Sequence, residues 1–126
     1  VRQQPKTYGN HSRVEGGDVK GKRVLLIEDH ISTGLSLLSA IEGLKAEGAI
    51  VTDCVAITSF GIDETKKLLE REHVTCHEIV RFEKVLDKAV ELGKLEADKK
   101  ASLLDWLSNP WTWAARHQIA PSDNEN

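Results

Sequence analysis

The feature that most constrains this chain is a short apolar run at residues 23–28 (Arg-Val-Leu-Leu-Ile-Glu), which stops at two adjacent acids and gives way to helical spacing. A run of strand length without polar alternation suits a buried strand of a parallel sheet. Residues 35–47 then place Leu37, Leu38, Ile41 and Leu44 at helical intervals, with Gly48 positioned to end the helix. The alternation continues. Residues 50–58 read as a second strand, and Asp63 can cap a helix through His73 that turns Leu68 and Leu69 inward. Residues 74–79 read as a third strand. Residues 81–92 put Phe82, Val85, Leu86, Ala89 and Val90 on one helical face, and residues 95–107 repeat that pattern until Pro110 stops it. Strands and helices in alternation predict an α/β fold, a doubly wound parallel sheet with right-handed crossovers. With three good strands, one sheet edge is expected to lack its neighbour.

A length of 126 residues suits one compact domain, expected over residues 1–117 with a flexible tail at 118–126. Residues 4–17 are polar and aperiodic, which predicts a long mobile loop. The net charge of −3 offers no global attraction to nucleic acid or anionic membrane, so neither is expected as a partner. No apolar run reaches the ~18 residues of a membrane span, and the first residues do not read as a signal peptide. A cytoplasmic protein is the expectation. Cys54 and Cys76 sit in strand-like stretches as small hydrophobes. The five histidines show no metal-ligand spacing, so no protein-held metal is expected. Trp106, Trp111 and Trp113 suggest a packed terminal cap or a subunit contact.

The informative segment is Glu28, Asp29, His30, Ile31, Ser32, Thr33, Gly34, Leu35 and Ser36. It lies at the carboxyl end of the first strand, where α/β sheets bind ligands. The Ser-Thr-Gly-Leu-Ser turn leads into a helix and offers backbone N–H groups, hydroxyls and a positive helix end, all suited to phosphate. Carboxylates accept hydrogen bonds from vicinal hydroxyls such as those of ribose, so acids beside a phosphate nest point to a sugar phosphate. The segment has neither G-x-x-x-x-G-K-[ST] nor G-x-G-x-x-G. The plainer reading is a charged strand end followed by a capped helix, since Ser, Thr and Asp before a helix are common as caps.

The hydrophobic run, the Glu-Asp pair and Ser-Thr-Gly-x-Ser resemble the phosphoribosyl diphosphate (PRPP) motif of type I phosphoribosyltransferases. His30 departs from the aliphatic residue usual there, and Leu35 replaces a frequent second Gly. Residues 1–10, followed by Val14-Glu15-Gly16, are similar to the catalytic loop of orotate phosphoribosyltransferases. Arg2 and Lys6 match that loop's cations, while Tyr8 stands at its usual His and Gln3 at a place that is Lys in some members. The stretches Thr65-Lys66-Lys67-Leu68-Leu69 and Asp105-Trp106-Leu107-Ser108-Asn109-Pro110 look like the Gram-positive-type members.

The resemblance implies a type I phosphoribosyltransferase-like (Rossmann-like) core without its N-terminal hood and first strands, hence a fragment or truncated homologue. It implies transfer of phosphoribosyl from PRPP to orotate, giving orotidine 5′-monophosphate and diphosphate, with Mg2+ held mainly by PRPP and a homodimer whose loop reaches the neighbouring site. By the same resemblance residues 32–36 hold the 5-phosphate, with Ser32 also against orotate. Glu28 and Asp29 hold the ribose, Asp29 as a catalytic group, and His30 and Ile31 complete the contact. Arg2, Lys6 and Tyr8 meet PRPP on loop closure, Lys6 as the transition-state contact. The competing expectations are a non-catalytic PRPP-binding regulatory module, an assembly fragment, or a transferase for another base.

Overall fold

The structure, a computed structural model, describes Val1 and residues 14–119. The chain divides into two compact units, Val1–Arg81 and Phe82–Asn126.

The first unit is a three-stranded parallel sheet with two crossover helices. Its elements are β1 (Arg23–Ile31), α1 (Leu35–Ala46), β2 (Ile50–Ser59), α2 (Asp63–Arg71) and β3 (Thr75–Arg81). Spatial order follows sequence order, β1-β2-β3, with every pairing parallel. Two right-handed crossovers taken in the same direction put both helices on one side of the sheet. The core confirms that side: Leu37, Ile41 and Leu44 of α1 and Leu69 of α2 cluster with Val51, Cys54 and Ala56 of β2, with Val24, Leu26 and Cys76 packed against them.

The other face is open. Leu25, Ile27, Ile57 and Ile79 are 54%, 71%, 53% and 67% exposed. The apolar run of β1, expected to be buried on both faces, therefore alternates between a covered and an uncovered side among the described residues. The α/β parallel architecture stands, with one of its faces bare.

Element ends follow local chemistry. Gly48 adopts φ 84 just beyond α1, as its position predicted. Asp63 does not cap α2. The cap position is Ile62, and Asp63 lies in the first turn with its carboxylate 2.9 Å from Lys66 Nζ, where an acid still favours the helix dipole. Lys45 Nζ ties the end of α1 to the end of α2, donating to the Glu72 carbonyl at 2.7 Å and its carboxylate at 2.8 Å. Cys54 and Cys76 are register neighbours on β2 and β3, both free thiols, and burial pushes the Cys54 thiol up to about 12.

The second unit holds α3 (Phe82–Glu91), α4 (Ala97–Ser108) and α5 (Pro110–Arg116). Lys100 Nζ reaches Asp87 Oδ1 at 2.6 Å between α4 and α3. Pro110 stops α4, as expected, but it also opens α5, a helix absent from the sequence reading. Proline suits a first helical position because its missing N–H has no partner there, and the Asn109 side chain accepts the Thr112 N–H at 3.2 Å. Trp111 is exposed and Trp113 half-buried, its ring 4.7 Å from that of His117. No helix among the described residues is long and apolar enough to cross a membrane.

Candidate functional site

The carboxyl end of β1 and the start of α1 enclose a small cleft lined by Glu28, His30 and residues 31–37. Strand pairing runs past the two acids: His30 pairs with Thr58 and Ile31 with Ser59. Successive side chains of a strand point to opposite faces. Glu28 and His30 accordingly share the half-buried side, while Asp29 is exposed and is not among the residues lining the cleft. The Asp29 carboxylate accepts the backbone N–H of His30 at 2.6 Å. The His30 ring meets Phe60 edge-on, centroids 4.5 Å apart at 75°.

The turn itself is shaped by Gly34, which takes φ 80 and serves as the N-cap of α1 without any side-chain cap bond. The first helical bond runs from the Leu38 N–H to the Gly34 carbonyl at 2.8 Å. An α-helix leaves its first N–H groups without intrahelical partners, and those of Leu35, Ser36 and Leu37, residues that line the cleft, have no side chain satisfying them from the cap. Ser32 and Ser36 are exposed, and Thr33 is half-buried. The arrangement can take an anion at the helix start, with one carboxylate, Glu28, on the same wall.

The structure adds residues that sequence spacing did not mark. Thr65 of α2 is buried, and its hydroxyl donates to the Thr33 carbonyl at 3.0 Å. Its only sequence signal is a polar residue on the same helical face as Leu69. Next to it, the buried Ser59 hydroxyl donates to Glu78 and accepts the Gly61 N–H at 3.0 Å, while Arg81 Nε lies 3.3 Å from Glu78. Thr65, Ser59, Gly61 and Glu78 line a recess with Ile31, Ile62 and Leu69. Arg2, Lys6 and Tyr8 lie outside the described residues. Among the described residues no three or more of His, Cys, Asp and Glu gather as a metal site.

Residues 1–90 match the phosphoribosyl transferase domain family. An orotate phosphoribosyltransferase of Coxiella burnetii is 35% identical over 113 residues, covering 90% of this chain and 54% of the relative. Those of Listeria innocua and Bacillus caldolyticus are 35% and 33% identical, covering 90% and 91% of this chain and 54% and 56% of theirs. The chain thus spans about half the length of the curated relatives it matches. Among solved structures, Leishmania donovani UMP synthase superposes with a TM-score of 0.66 at 25% identity, over 82% of this chain and 23% of that one.

Proposed function

The chain belongs to the phosphoribosyl transferase domain family, and from that premise we propose that it is the PRPP-binding portion of an orotate phosphoribosyltransferase, acting in pyrimidine nucleotide synthesis. The observation that carries the reading is the cleft in which Glu28 and the open N–H groups at the start of α1 stand on adjoining walls. Residues 32–36 hold the 5-phosphate there, by backbone N–H groups and hydroxyls. Glu28 accepts from ribose hydroxyls. Asp29, on the strand's other side, is the second acid of the pair and the weaker ribose contact in this geometry. Ser32 is also the loop residue placed against orotate.

In the proposed reaction the bond from the anomeric carbon of PRPP to its diphosphate oxygen breaks, a bond to the orotate ring nitrogen forms at the same carbon, and the proton of that nitrogen passes to the departing diphosphate or to water. The electron pair leaves with the diphosphate, and positive charge develops on the ribose. Arg2 and Lys6, with Tyr8 as a hydroxyl donor, neutralise the leaving group, Lys6 being the transition-state contact. Magnesium, carried mainly by PRPP, would further neutralise the diphosphate when bound. It is a hard cation that keeps waters and rides on substrate phosphates, so it needs no protein cage, and Glu28 is the carboxylate lining the cleft that would share in holding it. A homodimer in the cytosol goes with this reading.

Calorimetric titration of PRPP with magnesium into the chain, beside Glu28→Ala, tests it. Saturable binding that the substitution weakens supports the site. Adding a polypeptide equivalent to the remaining half of the relatives should then give orotate-dependent diphosphate release. Binding without any base-dependent release in that mixture would favour the non-catalytic PRPP module instead.

A further inference from the structure

We infer that Thr65, on a helix outside the phosphate loop, is the positioning residue that aims the loop's N–H groups into the cleft. The inference rests on the reading of residues 32–36 as a phosphate site. Thr65 lies in the first turn of α2 and is 6% exposed. Its hydroxyl is 3.0 Å from the Thr33 carbonyl and 3.5 Å from that of Ser32. A hydroxyl has one proton to give, so Thr33 is the main acceptor and Ser32 the weaker one.

A trans peptide unit is a rigid plane with its C=O and N–H pointing in opposite directions. Holding the Thr33 carbonyl toward α2 therefore turns the Gly34 N–H away from α2. The weaker contact does the same for the Ser32–Thr33 unit and the Thr33 N–H. Both N–H groups belong to residues that line the cleft.

The methyl group of Thr65 acts on the same turn. A Cβ built on Gly34 would lie 2.6 Å from Thr65 Cγ2, so the methyl packs directly over the Gly34 backbone. The hydroxyl fixes the peptide plane, and the methyl fills the space over the left-handed residue after it. α2 is thus coupled to a loop 32 residues earlier in the chain. Preorganised N–H groups bind an anion without first being reoriented, which is how such a brace raises affinity.

The plainer role for a buried Thr is a satisfied core hydroxyl with no bearing on ligand, and the experiment separates the two. Ribose 5-phosphate, and separately PRPP with magnesium, is titrated into the wild-type chain, Thr65→Val and Thr65→Ser, with folding checked by circular dichroism. Thr65→Val keeps the shape and loses the proton. It is expected to weaken both ligands about tenfold, the upper scale for one lost intramolecular hydrogen bond. Thr65→Ser, which keeps the donor, should stay within about twofold of wild type.

Wild-type binding that Thr65→Val leaves unchanged overturns the inference alone. So does an equal loss in Thr65→Ser. If Thr65→Val does not fold, Thr65→Ala replaces it. Failure of both to fold, while Thr65→Ser folds, assigns the hydroxyl to stability and overturns the positioning role. A folded wild-type chain that binds neither ligand removes the phosphate site itself, and the inference with it.

Discussion

His77 Nε2 stands 2.8 Å from Asp53 Oδ1, a cross-strand pair between β3 and β2 on the sheet face that carries neither crossover helix. The hydrogen bond from His77, with a second from Thr52, holds the Asp53 carboxyl below its ordinary value of 3.8. A carboxyl lowered in the folded state stabilises the fold above its unfolded pKa, and that contribution disappears as pH falls through the folded value. Asp87 and Asp105 are lowered in the same direction, by Lys100 and Arg116 first. Acid unfolding is therefore expected to set in below about pH 4. Asp53→Asn should show a smaller drop in urea midpoint than wild type between about pH 6 and pH 3. An identical drop would mean that the pair exists without energetic consequence, as exposed pairs can.

The two faces of the sheet make a second test. Ile41 of α1 is fully buried in the core between helix and sheet, whereas Ile57 on β2 is 53% exposed on the bare side. Ile41→Ala should cost about 2–5 kcal/mol through lost burial and a residual cavity. Ile57→Ala should stay within roughly 0.5–1 kcal/mol, because about half of its surface stays in water and no closed cavity is left behind. Denaturant unfolding of both variants checks this. Equal losses would show that something covers the open face in solution.

That contrast marks where the sequence was legible. The run at residues 23–28, the leucine spacing of α1 and Gly48 define the strand, the helix and its end, because each is a local signal. Which face of β1 is covered depends on strand order, and no residue of β1 encodes that. The two acids show the same limit. Ending the strand at Glu28 makes Glu28 and Asp29 look like neighbours on a loop. Pairing instead continues to Ile31 opposite Ser59, and the two-residue period then separates their side chains. Thr65 was invisible as a site residue because its role is set by a contact 32 positions away. For α5, Pro110 marks a stop by its position after α4, and a proline also suits a first turn when a cap such as Asn109 precedes it.

Gly34 offers a sharper probe of the loop. Its φ of 80 is a left-handed conformation that disfavours a side chain, and an added Cβ would lie 2.6 Å from the short, buried Thr65 side chain. Gly34→Ala should therefore lose about 1–3 kcal/mol of stability, from backbone strain and overpacking combined. Gly48→Ala is the control. It shares a positive φ of 84 but lies away from the cleft, and a Cβ added there would lie 3.2 Å from the flexible Lys20 side chain. Thermal unfolding should show both variants destabilised, and only Gly34→Ala should lose PRPP affinity.

The acids can be ranked by the face each one occupies. Glu28 lines the cleft with residues 32–36, and Asp29 points from the opposite side of β1 and accepts the His30 N–H at 2.6 Å. A charge-assisted hydrogen bond from a ribose hydroxyl is worth about 1.5–3 kcal/mol, so Glu28→Ala should weaken PRPP about tenfold or more. Asp29→Ala removes an acid outside the lining, and its loss should be about threefold or less. Titration calorimetry of the two single variants and the double variant decides the matter. The double variant should resemble Glu28→Ala, since of the two carboxylates Glu28 alone lines the cleft. Equal single losses would require the end of β1 to release its pairing beyond Glu28 when PRPP binds, bringing both acids to one side. Hydrogen exchange at the His30 and Ile31 amides would detect that release.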